Sequence, residues 1–199
     1  PDEASLTSTL WMSGAFHSQV TQGHVSIGRF LSATRSYLGL FRSQGLRVFA
    51  EIGGHWHQLG TPSAFEMDPG GARWVYEHAG GCIELRSRAA LGAHELELAA
   101  EVRSGPACRF LVSLQVAVGG DDGALPVPVD FSRDPDGISV RYAAETDLGR
   151  RFPGGCFRVE PTHGTALEAI GGDELLFLDG HSRQQPYLVL ITAAATSIA

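Results

Sequence analysis

From Leu46 to Val118 the chain is written largely in period two. L-R-V-F-A-E-I sets Leu46, Val48, Ala50 and Ile52 against Arg47, Phe49 and Glu51, and H-E-L-E-L-A-A-E-V, His94 to Val102, repeats the pattern. Such alternation puts successive side chains on opposite faces of a strand, whereas a helix presents one face about every 3.6 residues. The runs are punctuated by Gly53-Gly54, Gly80-Gly81 and Gly105-Pro106, and further on by Gly119-Gly120, Gly154-Gly155 and Gly171-Gly172. Paired glycines tolerate positive φ and read as turns between strands.

The spacing predicts a hairpin over Leu46 to Leu59, turned at Gly53-Gly54, and strands over Ala72 to His78, Cys82 to Leu91, His94 to Val102 and Ala107 to Val118. Looser signals follow at Ile138 to Ala143, Phe157 to Glu160, Glu174 to Leu178 and the apolar run from Tyr187. Residues 11–44 mix apolar with small hydroxyl and amide side chains and are expected to be extended. No regular helical spacer separates the runs, so antiparallel sheets packed face to face fit better than βαβ units. The expectation is an all-β fold, a large antiparallel β-sandwich forming a single domain over 1–199, with 25 glycines and 10 prolines to turn the chain.

Charge and cysteine usage narrow the function classes. The chain has no Lys, so its 15 basic residues are all Arg, against 22 acidic ones for a formal charge of −7. No basic block interleaved with aromatics is present, which argues against nucleic acid as a partner. No stretch reaches the roughly 18 apolar residues of a membrane span, so no direct membrane contact is expected. Cys82, Cys108 and Cys156 form no C-x-x-C pair, and a reducing compartment with thiols acting as small apolar side chains fits them. The first residues, Pro1-Asp2-Glu3, suggest a piece of a longer multidomain protein.

The motifs for chemistry are sparse. There is no G-x-S-x-G elbow, phosphate loop or strand-linked G-x-G-x-x-G. The Asp-rich D-F-S-R-D-P-D-G, Asp130 to Gly137, lacks calcium-loop spacing and reads as a turn. Carboxylates and histidines (Glu51, Glu66, Glu77, Glu160, His17, His24, His163, His181) are plentiful but follow no catalytic pattern, so no catalytic residue is assigned, and no cofactor.

One segment stands out: G-G-H-W-H-Q-L-G, Gly53 to Gly60. His55 and His57 at i and i+2 share a strand face, a spacing a metal accepts, but a third ligand (His78, His94 or Glu51) is not fixed and no metal is assigned. Trp56 points to the other face. It is read first as a buried core anchor, with a flat surface for a pyranose ring as the alternative.

W-M-S-G-A-F-H-S-Q-V-T-Q-G-H-V-S-I-G-R-F-L-S-A-T-R-S-Y-L-G-L-F-R-S-Q-G, continuing through R-V-F-A-E-I and L-G-T-P-S-A-F-E-M, resembles the internal region of bacterial cyclic β-1,2-glucan synthases. These enzymes share a sandwich domain with cellobiose and chitobiose phosphorylases, and the run from C-I-E-L-R-S-R to V-S-L-Q-V-A-V is similar to its second sheet region. The resemblance implies a supersandwich of galactose-mutarotase-like topology, set before a helical barrel that carries the catalysis and is absent from these residues. Partners would be glucan oligosaccharide and other domains of the parent chain, on the cytoplasmic side of the inner membrane. Trp56, His55, His57, Trp74, Tyr76 and Arg47 are the expected sugar contacts. A scaffold without sugar affinity and an aldose-epimerase-like enzyme using His17 or His163 are the alternatives.

Overall fold

The computed structural model describes residues 8–13, 17–22, 29–31, 46–60, 62–68, 71–89, 95–115, 129–141, 143–145, 149–150 and 152–199. The first strands are β1 (Ser8–Ser13), β2 (His17–Gln22) and β3 (Arg29–Leu31), then β4 (Leu46–Ile52) and β5 (His55–Gln58). They are followed by β6 (Ala64–Asp68), β7 (Gly71–His78), β8 (Gly81–Ala89), β9 (Leu96–Ser104) and β10 (Phe110–Gln115). The second half contributes β11 (Asp130–Asp134), β12 (Gly137–Arg141), β13 (Cys156–Val159), β14 (Leu167–Gly171), β15 (Tyr187–Thr192) and β16 (Ser197–Ile198). Helical backbone among the described residues is confined to a 3-10 turn at Asp173–Leu176 and to Gly149 and Arg150. No helix among them is long and apolar enough to cross a membrane.

The strands form four sheets: β1-β2-β3, a central sheet ordered β14-β15-β10-β4-β5, a small sheet β11-β12-β13, and a fourth ordered β16-β9-β8-β7-β6. Every ladder between these strands is antiparallel. The all-β sandwich expected from the alternation is therefore the observed architecture.

One face of the central sheet serves two cores. At one end Val48, Ala50 and Phe110 pack with Trp74, Tyr76, Ile83, Leu85 and Ala100 of the β6–β9 sheet. At the other, Leu114, Leu188 and Leu190 pack with Ile138 and Val140 of the small sheet. Leu46 touches both clusters and joins them. Each large side chain buried this way contributes roughly 1.5–3 kcal/mol relative to exposure. Beyond β15 the chain makes a backbone bridge from Ala195 to Cys108 and crosses to the β6–β9 sheet, where β16 pairs with β9.

Two glycine positions fix local direction. Gly53 and Gly54 both have positive φ, 61° and 79°, the geometry of a two-residue hairpin turn whose twist suits its strands. At Gly81, with φ of 150°, a Cβ would lie 2.0 Å from the Ser104 carbonyl oxygen, so β8 can start beside β9 only without a side chain. The Asp-Pro-Asp-Gly segment is the expected turn, joining β11 to β12.

The run Glu174 to Leu178, expected as a strand, is instead the 3-10 turn and a loop. The Asp173 carboxylate accepts hydrogen bonds from Ser182 Oγ at 2.5 Å, Arg183 N at 2.7 Å and Gln185 N at 3.1 Å, which folds the segment back on itself. Five apolar or acidic residues cannot report a partner ten residues away. Gly171 and Gly172 precede this turn, and neither has positive φ.

Candidate functional site

The β4–β5 register sets Glu51 opposite Trp56, while Ile52 faces His55 and Ala50 faces His57. Trp56 thus shares a sheet face with Glu51, and the two histidines project from the opposite face, the alternation expected of a strand. All four β5 residues are exposed. The expectation that Trp56 is a buried anchor fails: it keeps 37% of its surface accessible. The reason is topological, because β5 is the last strand of the central sheet and Trp56 lies on the face away from the two cores.

What holds the ring is Arg109, immediately before β10. Its guanidinium carbon lies 5.5 Å from the Trp56 ring centroid. Arg109 Nη1 donates to Glu51 Oε2 at 3.4 Å, and Nη2 is 2.6 Å from Glu168 Oε2 of β14. The Glu51 amide donates to the Arg109 carbonyl at 2.9 Å, so the backbones are in register as well. A row Glu168, Arg109, Glu51, Trp56 therefore runs across the sheet. Partial burial opposes the charge on Arg109, but Glu168 and then Glu51 outweigh it and hold its pKa above the ordinary arginine range. A cation fixed over an aromatic face contributes roughly 0.5–1 kcal/mol at exposed positions and restricts the ring to few rotamers.

The other expected contacts lie elsewhere. Arg47 is on the same strand and face as Glu51, two alternations away. Trp74, 5% exposed, and Tyr76, 9% exposed, are core residues on the inner face of β7. Burial pushes the Tyr76 phenol up to about 12. Their rings are enclosed and offer no face to a ligand, which corrects the expectation that they contact sugar: both sit on the inward phase of the alternation. His55, His57, Trp74 and Tyr76 do not join Trp56 in one cluster. Of this row, Glu51 stands among the acid–base candidates of the sequence, Arg109 is the lone charge in the apolar run A-C-R-F-L-V-S-L-Q-V-A-V, and Glu168 carries no local signal.

Among the described residues no cluster of three His, Cys, Asp or Glu side chains is placed to hold a metal. His94 and His24 lie outside the described residues, as does the His17 side chain. His163 Nε2 is 3.9 Å from Glu97 Oε1, with both side chains largely in solvent. Cys108 is buried in the first core, and burial, with Glu51 nearby, raises its pKa, so the thiol stays protonated near neutral pH. Cys82 is half-buried and Cys156 exposed, and all three are free.

A second charged array covers the outer face of the β6–β9 sheet. Glu84, 1% exposed, receives Arg73 Nη2 at 2.8 Å and is paired with Arg86, while Arg103 Nε lies 3.9 Å away. Arg73 also reaches Glu66 at 3.0 Å and Arg103 reaches Glu101 at 2.9 Å. The hydrogen bond from Arg73, followed by the charge of Arg86, depresses the Glu84 pKa against the opposing effect of burial. Three guanidiniums and three carboxylates close this network, so it reads as a lattice bracing the sheet face.

The described strands thus define a multi-sheet antiparallel sandwich with one braced surface aromatic. Residues 1–198 match the glycoside phosphorylase supersandwich domain, and the chain belongs to that family. It is 26% identical over 162 residues, 81% of its length, to a 1,2-β-oligoglucan phosphorylase of Listeria innocua serovar 6a. The match spans 15% of that relative's length.

Proposed function

We propose that this domain is a noncatalytic, carbohydrate-associated module of a larger enzyme that makes or breaks β-1,2-linked glucan, where it holds the glucan chain and packs against the catalytic domains. The carrying observation is Trp56: an indole braced by Arg109 between Glu51 and Glu168, yet more than a third exposed. An aromatic face stacks on the CH groups of a pyranose, and fixing it beforehand lowers the entropy lost on binding. The carboxylates retain lone pairs that can accept from sugar hydroxyls. Arg47 stands on the same strand and face as Glu51, whereas His55 and His57 project from the opposite face of the sheet and lie outside this contact.

The relative's name supports the β-1,2 linkage. The cyclic β-1,2-glucan synthases resembled by residues 11–45 are one such parent. The scaffold reading draws on Leu178, fully exposed on a loop stiffened by Asp173 and by Arg183 over Phe177 at 4.2 Å.

Calorimetric titration with linear and cyclic β-1,2-glucan, with cellodextrin as control, tests the proposal. Saturable heat restricted to the β-1,2 linkage is expected. Its absence at millimolar sugar would leave the scaffold role.

A further inference from the structure

We infer that the Trp56 surface selects uncharged glucan and rejects anionic sugars, including the sugar phosphates that phosphorolysis yields; this rests on the glucan-holding role proposed above. The argument is one of committed charge. Among the described residues the cation at the ring is Arg109, whose two terminal nitrogens are turned to Glu51 and Glu168, so these three side chains carry one positive and two negative charges. Each terminal nitrogen faces a carboxylate and Nε, though unpartnered, is buried, so no bidentate edge of the guanidinium is open to a phosphate or a uronate. Arg47, the next cation along β4, is four residues from Glu51, about 13 Å along a strand, and lies beyond the screening length of about 8 Å at physiological salt. His55 and His57 project from the other face of the sheet. The whole chain adds to the effect with its formal charge of −7.

A neutral hydroxyl is the group this cluster can use. The carboxylates accept from sugar O–H groups while the indole takes the CH face, and neither interaction requires a charge on the ligand. An anion meets an excess negative charge at close range, where repulsion in water amounts to roughly a tenfold loss for a doubly charged group at contact distances.

The experiment compares a linear β-1,2-glucan tetrasaccharide with the same tetrasaccharide oxidised to a carboxylate at each C6. Binding is followed by the Trp56 indole N–H resonance at low and at 0.5 M salt, in the wild type and in Glu168→Gln. The expected result is binding of the neutral chain, at least tenfold weaker binding of the oxidised one at low salt, and a narrowing of that gap in high salt and in Glu168→Gln. Equal binding of both sugars to the wild type at low salt would overturn the selectivity while leaving the glucan surface standing. If neither sugar shifts the Trp56 signal, the glucan-holding role itself is refuted and the selectivity with it. The salt comparison uses wild-type protein alone and needs no folded variant.

Discussion

Glu84 of β8 takes the guanidinium of Arg73 from the adjacent strand at 2.8 Å, and the carboxylate is thereby shut from solvent on the outward face of its sheet. A residue placed by alternation to face water is instead roofed by the arginine side chains around it. The guanidinium ends that meet the carboxylate do the covering, while the arginine side chains themselves stay partly in solvent.

Glu84→Gln removes the charge these arginines converge on, and should cost about 2 kcal/mol at neutral pH, since the arginines are themselves half in solvent. Glu84 and Asp173 both have depressed folded-state pKa values, through the Arg73 hydrogen bond in one case and, against burial, through Ser182 and backbone amides in the other. Their contribution is present above the unfolded carboxylate pKa of about 4 and is lost as pH falls through the lower folded values. Urea unfolding from pH 7 to 3 should show the wild-type advantage over Glu84→Gln shrinking below about pH 4. A constant advantage across that range would contradict this account.

Asp173→Ala should release the loop from Phe177 to Pro186. Three donors lose their acceptor, and a cost of about 2 kcal/mol is expected. Amide exchange at Arg183 and Gln185, whose N–H groups donate to that carboxylate, should accelerate far more than exchange in β15.

The two tryptophans of the central and β6–β9 sheets should separate stability from binding. Trp74→Ala should destabilise by about 3–5 kcal/mol, because its ring is buried among core residues against Phe65 at 5.6 Å. Trp56→Ala should shift the unfolding midpoint little and weaken β-1,2-glucan binding about fivefold or more. Chemical denaturation and calorimetry on both variants decide the assignment. A large loss of stability in Trp56→Ala with unchanged sugar affinity would reverse it.

Gly81→Ala forces a methyl group against the Ser104 carbonyl at a φ other residues rarely adopt. About 3 kcal/mol or more should be lost, whereas Gly60→Ala, whose Cβ would meet nothing within 4 Å, should be tolerated. Thermal melts of the pair supply the comparison.

Cys156 should react with a thiol reagent in the folded protein and Cys108 only on unfolding, given their exposed and buried placements. Simultaneous labelling of both in native buffer would argue against the packing of the first core.

The hairpin at Gly53-Gly54, the strands β7 to β9 and the Asp-Pro-Asp-Gly turn were legible because their signals are local: period-two alternation and residues suited to turns. β14 was missed, since L-E-A-I-G gains its strand identity only by pairing with β15 twenty residues later. The site divided along the same line. Trp56 and the phase of its histidine neighbours could be read from β5 alone, but its exposure depends on β5 being outermost, and the bracing pair Arg109 and Glu168 comes from two strands that are distant in sequence. Alternation could have excluded Trp74 and Tyr76, which fall on the same phase as buried Ala72.

The placement of β15 between β14 and β10, followed by the crossing to β9, also sets an order of assembly. The β4–β5, β7–β8–β9 and β11–β12–β13 units can close from neighbouring segments. β14 and β10 have no mutual ladder and must wait for β15, and the two layers are tied at Cys108 and Ala195 only after that. Glu168 reaches Arg109 only once β15 is in place, so a chain halted before β15 would hold Arg109 against Trp56 through the β4–β10 ladder and Glu51 but lack the second carboxylate.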